Sequence, residues 1–173
     1  YLPEHWKQFL RSIGKGQFQT DVLCLSRSGQ KVPFATFGRL DGKEKHRVVI
    51  SARHHCSETM AGYVMEGIIQ GICSDDKTGK WLRENVEFTV VPFVDYDGAV
   101  NGDQGKNRDP HDHNRDYSEF LYPETRALAD KYLEKNPEVI LDLHCPWISS
   151  GVNELLYNPL ANPEITPDIA AEE

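Results

Sequence analysis

The chain has 173 residues, with 19 Lys and Arg against 27 Asp and Glu and a net charge of −8. That length suffices for one domain with a packed core, and the negative charge argues against nucleic acid or an anionic membrane as partner. No apolar run approaches the ~20 residues a membrane helix needs.

Cys24, Cys56, Cys73 and Cys145 have neither CxxC spacing nor the density of a disulfide framework. They read as reduced thiols, a weak lean toward the cytoplasm. No signal peptide is visible, and with Tyr1 in first place that says little.

In chain order, residues 3–13 predict a helix with Trp6, Phe9, Leu10 and Ile13 on one stripe, Pro3 near its start and Gly14 and Gly16 as its stop. Two strand-like runs, Asp21–Leu25 and Val32–Phe37, flank a Ser-Arg-Ser-Gly-Gln turn and predict a hairpin. Arg47–Ala52 reads as a central strand. Ser57–Ile72 predicts a helix whose Ala61, Val64, Met65, Ile68, Ile69 and Ile72 form a broad core-facing stripe. Val86–Val94 is the next strand. Residues 95–116 form a long polar segment, which in a compact domain is functional or disordered. Pro123–Lys135 predicts a second helix closed by Asn136-Pro137, followed by strands at Glu138–Leu143 and Glu154–Tyr157. The order implies an α/β fold with a mixed, mostly parallel sheet flanked by helices.

Two histidines stand just beyond apolar, β-branched runs that read as buried parallel strands: His55 after Val48-Val49-Ile50, and His144 after Val139-Ile140-Leu141-Asp142-Leu143. Open α/β sheets bind ligands beyond the carboxyl ends of their strands. His55, Glu58 and His144 are thereby expected on one sheet edge, with Glu58 in the first turn of the following helix, where a carboxylate is favoured. Two histidines and a glutamate with one open position form a catalytic zinc set. HxxE by itself is weak, and a histidine in a loop is more often solvated than ligating. His54 competes with His55 but has Ser57, not a carboxylate, three residues on. Cys56 and Cys145 leave a thiolate-containing site open. Arg108 and Arg115 have the forked geometry that grips carboxylates, and a cation near a metal also suits a developing oxyanion. A surface ion pair with the neighbouring aspartates is the plain reading of each. His111 and His113 read as structural or exposed.

These residues resemble, in order, the motifs of the zinc carboxypeptidase family (carboxypeptidase A-like metallopeptidases): HxxE at His55–Glu58, Asp97-Gly98 with Asn101-Gly102 after a strand, a D-x-N-R-[ND]-[WY]-like stretch at Asp112–Tyr117, and a strand ending in Asp142-Leu143-His144. The resemblance spans roughly residues 21–158 and looks closest to the cytosolic-carboxypeptidase-like and related bacterial branch. It implies one Zn2+ per chain held by His55, Glu58 and His144. It implies that Asn114 and Arg115 grip the terminal carboxylate of a peptide or protein substrate, that Arg108 polarises the scissile carbonyl, and that Asp112 orients His55. It also implies a cis peptide just after the third ligand, here Cys145-Pro146.

One departure is serious. The family's general base is a glutamate on a later strand, and only 29 residues follow His144. Glu154 comes too early, and Glu164, Glu172 and Glu173 lie in a Pro-rich or terminal stretch. Residues 1–173 therefore read as a single domain comprising the N-terminal portion of a metallocarboxypeptidase, inactive by itself. The alternatives are an N-acyl amino acid amidohydrolase of the succinylglutamate desuccinylase or aspartoacylase type, and a non-catalytic zinc- or carboxylate-binding module.

Overall fold

The structure is a computed structural model that describes residues 1–106 and 108–145. The expected strand Glu154–Tyr157, the later glutamates and the Cys145-Pro146 bond lie outside the described residues.

The chain runs α1 (Pro3–Ile13), β1 (Phe18–Leu25), β2 (Lys31–Gly38), β3 (His46–Ala52), α2 (Met60–Cys73), α3 (Lys77–Asn85), β4 (Val86–Val91), α4 (Tyr96–Asn101), α5 (Pro123–Lys135) and β5 (Val139–Leu143). The strands form one mixed sheet in the order β1-β2-β4-β3-β5. β1 pairs antiparallel with β2, and β2 antiparallel with β4. β3 pairs parallel with both β4 and β5. The parallel strands therefore carry the two post-strand histidines.

Helices cover both faces. On one, Trp6 and Phe9 of α1 and Met65, Ile69 and Ile72 of α2 pack with Phe37, Ile50, Phe88 and Val90. On the other, Leu128 of α5 packs against Phe34, Val49, Val91 and Val94. α1 and α5 have the expected bounds because each carries proline at its first turn. α5 stops at Asn136, whose φ of 44° is the left-handed conformation Asn tolerates.

α2 starts later than expected. Ser57, Glu58 and Thr59 lie in turns, with Glu58 N–H donating to the His55 carbonyl (3.0 Å) and Thr59 N–H to that of Ser57 (2.8 Å). Glu58 thus precedes the helix. The stripe on α2 is also narrower than read, since Val64 is 52% exposed. α3 was not anticipated; its residues are mostly polar, and its start is fixed by Asp76, which accepts from Gly79 N–H at 2.8 Å. β4 ends at Val91, with Phe93 and Val94 buried beyond the ladder. The polar segment contains α4 and a 3₁₀ turn, His113–Arg115. β5 is an edge strand among the described residues, and Val139, Ile140 and Leu141 are exposed rather than buried.

Phe37 is fully buried and touches both Trp6 and Phe18. Phe37→Ala is expected to lower unfolding free energy by about 3–5 kcal/mol in urea denaturation, the usual cost of truncating a buried aromatic. A loss below about 1 kcal/mol would mean that α1 does not close this core.

Candidate metal centre

Parallel pairing of β3 with β5 aligns Ser51 with Asp142 and Ala52 with Leu143. Their next residues emerge side by side at the carboxyl edge of the sheet. Beyond Ala52 the chain turns at Arg53, whose φ of 65° is uncommon for a residue with a Cβ. The Arg53 side chain is buried and folds over the turn it starts. Its Nε donates to the Cys56 carbonyl at 2.7 Å, Nη2 donates to the same carbonyl, and Nη1 donates to the Tyr1 carbonyl at 2.9 Å. The 102–105 segment lies against the same turn. Gly105 has a φ of 84°, and a Cβ there would stand 2.6 Å from the Cys56 amide nitrogen. Residues 53–58 are thereby clamped from two sides.

This clamp presents His55 and Glu58 to His144. Glu58 is 5% exposed; its Oε1 lies 3.0 Å from His55 Nδ1 and its Oε2 lies 2.8 Å from His144 Nδ1. One ligand-type atom from each of the three lies within 4.8 Å of the others. Zinc binds such nitrogen and oxygen atoms at about 2.0–2.2 Å, so the donor set and its spread fit that ion. Lys106 also reaches the carboxylate, with Nζ 2.9 Å from Glu58 Oε1. Burial acts to raise the Glu58 pKa, but hydrogen bonds from His144, Lys106 and His55 outweigh it and hold it down at about 2.

The other sequence-predicted residues gather nearby with different contacts. Asp112 is buried, and its Oδ2 faces His55 Nε2 at 3.7 Å, too long for a hydrogen bond. Asp112 accepts instead from Asn114 N–H at 2.9 Å and from Arg115 Nη1 at 2.5 Å. Asn114 is exposed, and the Arg115 side chain is 69% exposed. Arg108 pairs with Asp95 at 2.6 Å and Asp103 at 3.2 Å. It lines a cavity of about 310 Å3 with Asp95, Asp97, His113 and Glu124, a cavity that none of the three triad residues lines. His113 is buried within it. Cys56 Sγ donates to the Asp103 carbonyl at 3.1 Å, and among the described residues no ligand-type cluster includes a cysteine. Lys106 and Asp142 have no site role in the sequence reading, and His54 enters it only as the rival of His55. Only Asp142 carried a usable sequence signal, since residues two apart on a strand share a face.

His144 sits between two carboxylates: Nδ1 faces Glu58 and Nε2 faces Asp142 Oδ2, each at 2.8 Å. Without a metal both ring nitrogens must donate, so the ring is an imidazolium. Hydrogen bonds to Asp142 and Glu58 push its pKa up to about 10 from the usual 6.5. A raised cationic pKa contributes stability that is complete below 6.5 and is lost as pH rises through about 10. Glu58, lowered from 4.5 to about 2, contributes stability present above 4.5 and lost as pH falls toward 2. The metal-free chain is therefore expected to resist urea best between those two ordinary values and to weaken from pH 6.5 to about 10. His144→Gln should flatten the alkaline decline; an unchanged slope would assign it to another group.

The chain matches the family model for zinc carboxypeptidase over residues 19–114, a span that holds His55, Glu58, Asp112 and Asn114 and ends before His144. It is 32% identical over 148 residues to cytosolic carboxypeptidase 4 of Homo sapiens, covering 73% of this chain and 13% of that protein. Against cytosolic carboxypeptidase 3 of Mus musculus it is 35% identical over 112 residues, covering 60% of this chain and 11% of that one. The crystal structure of a metallo-carboxypeptidase from Burkholderia cenocepacia superposes with a TM-score of 0.76 at 24% identity, covering 99% of this chain and 48% of that chain. At that identity the likeness shows the fold, and the chain spans under half of that protein and a small part of the curated relatives. The family match takes in more than half of the residues, and the chain belongs to the zinc carboxypeptidase family.

Proposed function

We propose that this chain carries the metal-binding and carboxylate-binding part of a metallocarboxypeptidase that removes C-terminal residues from peptides or proteins. The observation that carries the reading is the convergence of His55, Glu58 and His144 from the ends of two adjacent parallel strands. They would hold one zinc ion. When bound, zinc supplies Lewis-acid polarisation of the scissile carbonyl and lowers the pKa of a reacting water. Among the chain's own groups, the exposed Asn114 and Arg115 would bind the substrate's terminal carboxylate, which restricts cleavage to chain ends. Asp112 braces Arg115 through their 2.5 Å ion pair and places a negative charge behind His55. Arg108, on the segment that packs against Cys56, would stabilise negative charge developing on the carbonyl oxygen; to do so it must turn from Asp95. The family match and the carboxypeptidase relatives favour this reading over the amidohydrolase alternative. The similarity to cytosolic carboxypeptidases supports a cytoplasmic location, and no helix among the described residues is long and apolar enough to cross a membrane.

Metal analysis of the purified chain is expected to give one zinc per chain, with stoichiometric zinc lost in His144→Ala. Full occupancy in that variant would sink the ligand assignment.

Peptide hydrolysis by the metal-loaded 173-residue chain is expected to be negligible, because a general base contributes ~10²–10⁴-fold and, of the glutamates after His144, Glu154 comes too early for the family's base and Glu164, Glu172 and Glu173 lie in a Pro-rich or terminal stretch. Robust release of C-terminal residues from a blocked dipeptide would overturn that expectation.

A further inference from the structure

His54 is buried, lies next to a proposed ligand, and has no part in the site so far. Its surroundings give it one. The ligand-type atoms fall into two clusters that share His144: His55, Glu58 and His144 on one side of the ring, and His54, Asp142 and His144 on the other. The His54 and His144 rings stack at 5.8 Å, and the His55 and His144 rings approach to 5.0 Å. Residues 54 and 55 thus flank one imidazole.

We propose that Asp142, backed by His54 and Tyr117, is the positioning group of the zinc site: it holds His144 Nε2 so that Nδ1 is presented beside Glu58. This rests on the zinc reading above. Asp142 and His144 are two residues apart at the end of β5 and so share a face. Asp142 Oδ2 lies 2.8 Å from His144 Nε2. Its other oxygen accepts from Ser51 Oγ at 2.8 Å, across the β3–β5 ladder. That oxygen also lies 2.9 Å from His54 Nδ1, an approach without hydrogen-bond alignment. His54 Nε2 is in turn hydrogen-bonded to the Tyr117 hydroxyl at 2.5 Å. A short polar chain therefore runs from Tyr117 through His54 and Asp142 to His144.

The chemistry of a metal-bound histidine explains why this chain is needed. A neutral imidazole that gives Nδ1 to a metal keeps its proton on Nε2, and that proton needs an acceptor. Asp142 Oδ2 stands where the acceptor must be. His55 has its own carboxylate at 3.7 Å in Asp112, without a hydrogen bond, so the tighter pairing belongs to His144. A second metal in the His54–Asp142–His144 cluster is the competing use of the same atoms. It would require His144 to lose both protons and Asp142 to share its Oδ1 between Ser51 and the ion.

The test uses the zinc-loaded chain and inorganic zinc as probe. Zinc affinity is measured by competition with a chromophoric chelator, and the His144 ring nitrogens by 15N-resolved NMR. Loss of a group that orients a metal ligand typically weakens the metal by ~10–100-fold. Asp142→Asn is expected to show that loss at an unchanged stoichiometry of one, with Tyr117→Phe and His54→Gln weaker in the same direction. The unsubstituted protein should show His144 protonated at Nε2 and metal-bound at Nδ1, a signature that a merely structural role for Asp142 would not set and that needs no variant to fold. Metal on Nε2, or unaltered zinc affinity in folded Asp142→Asn, overturns the proposal while leaving the zinc reading intact. Two zinc ions in the unsubstituted chain, falling to one in Asp142→Asn, overturns it in favour of the second metal. No zinc bound to any form, His144→Ala included, refutes the zinc reading itself.

Discussion

The parallel ladder between β3 and β5 is the constraint on which the site depends. Glu58 and His144 are 86 residues apart and meet at 2.8 Å only because Ala52 stands opposite Leu143. A slip of one residue would turn His144 to the opposite face, and a slip of two would carry it about 6.6 Å along the strand. Polar side chains fix the register at both ends. Ser51 donates to Asp142 near the site, and Glu138 accepts from Arg47 N–H at 2.8 Å while its own N–H donates to the Arg47 carbonyl at 3.0 Å. Val139, Ile140 and Leu141 are exposed and add little specificity, since any of them fits a pleated surface.

Around that ladder, buried carboxylates do what hydrophobic packing does elsewhere in the chain. Asp116 is fully buried and accepts from His111 Nε2 at 2.7 Å, Leu121 N–H at 2.7 Å, Tyr122 N–H at 2.9 Å and the Thr125 hydroxyl. It joins the D-x-N-R turn to the first turn of α5, and α5 reaches the second core through Leu128. Asp95 caps α4 by accepting from Gly98 N–H at 2.9 Å and pairs with Arg108. A polar stretch with few apolar residues thereby acquires a fixed path, because a buried carboxylate must find donors or be protonated. The acidity that makes this stretch look like a solvated loop is what folds it.

The legible parts of the sequence were those written in local chemistry. Proline at the first turn placed α1 and α5, and apolar, β-branched runs placed the strands. The conjunction of two post-strand histidines and an i+3 carboxylate names three side chains that meet in space, although the i+3 spacing is realised in a turn and not on a helix. The illegible parts depend on partners remote in sequence. α3 has a sparse apolar pattern, and Trp81 is half exposed. Arg108 faces Asp95 and Asp103 because a guanidinium among several aspartates takes whichever the fold presents, and spacing does not say which. His54 has no carboxylate at i+3, and the one it approaches, Asp142, is 88 residues away.

Charge balance explains why the cluster holds together and why it suits a divalent ion. Glu58 and Asp142 place two negative charges around one imidazole, while Lys106 and the doubly donating His144 place two positive charges against them. Burying Glu58 alone would cost several kcal/mol; compensated in this way it remains ionised. A divalent cation held by His55, Glu58 and His144 would bring two positive charges in exchange for the one proton the ring would give up, a net gain of one set against the carboxylates of Glu58 and Asp142. Metal binding at such a site competes with protons, and the competitor here is a single ring held in place from its far side by Asp142. The carboxylate that stabilises the protonated ring would also stabilise the Nε2–H of a metal-bound one, so the same contact would serve both states.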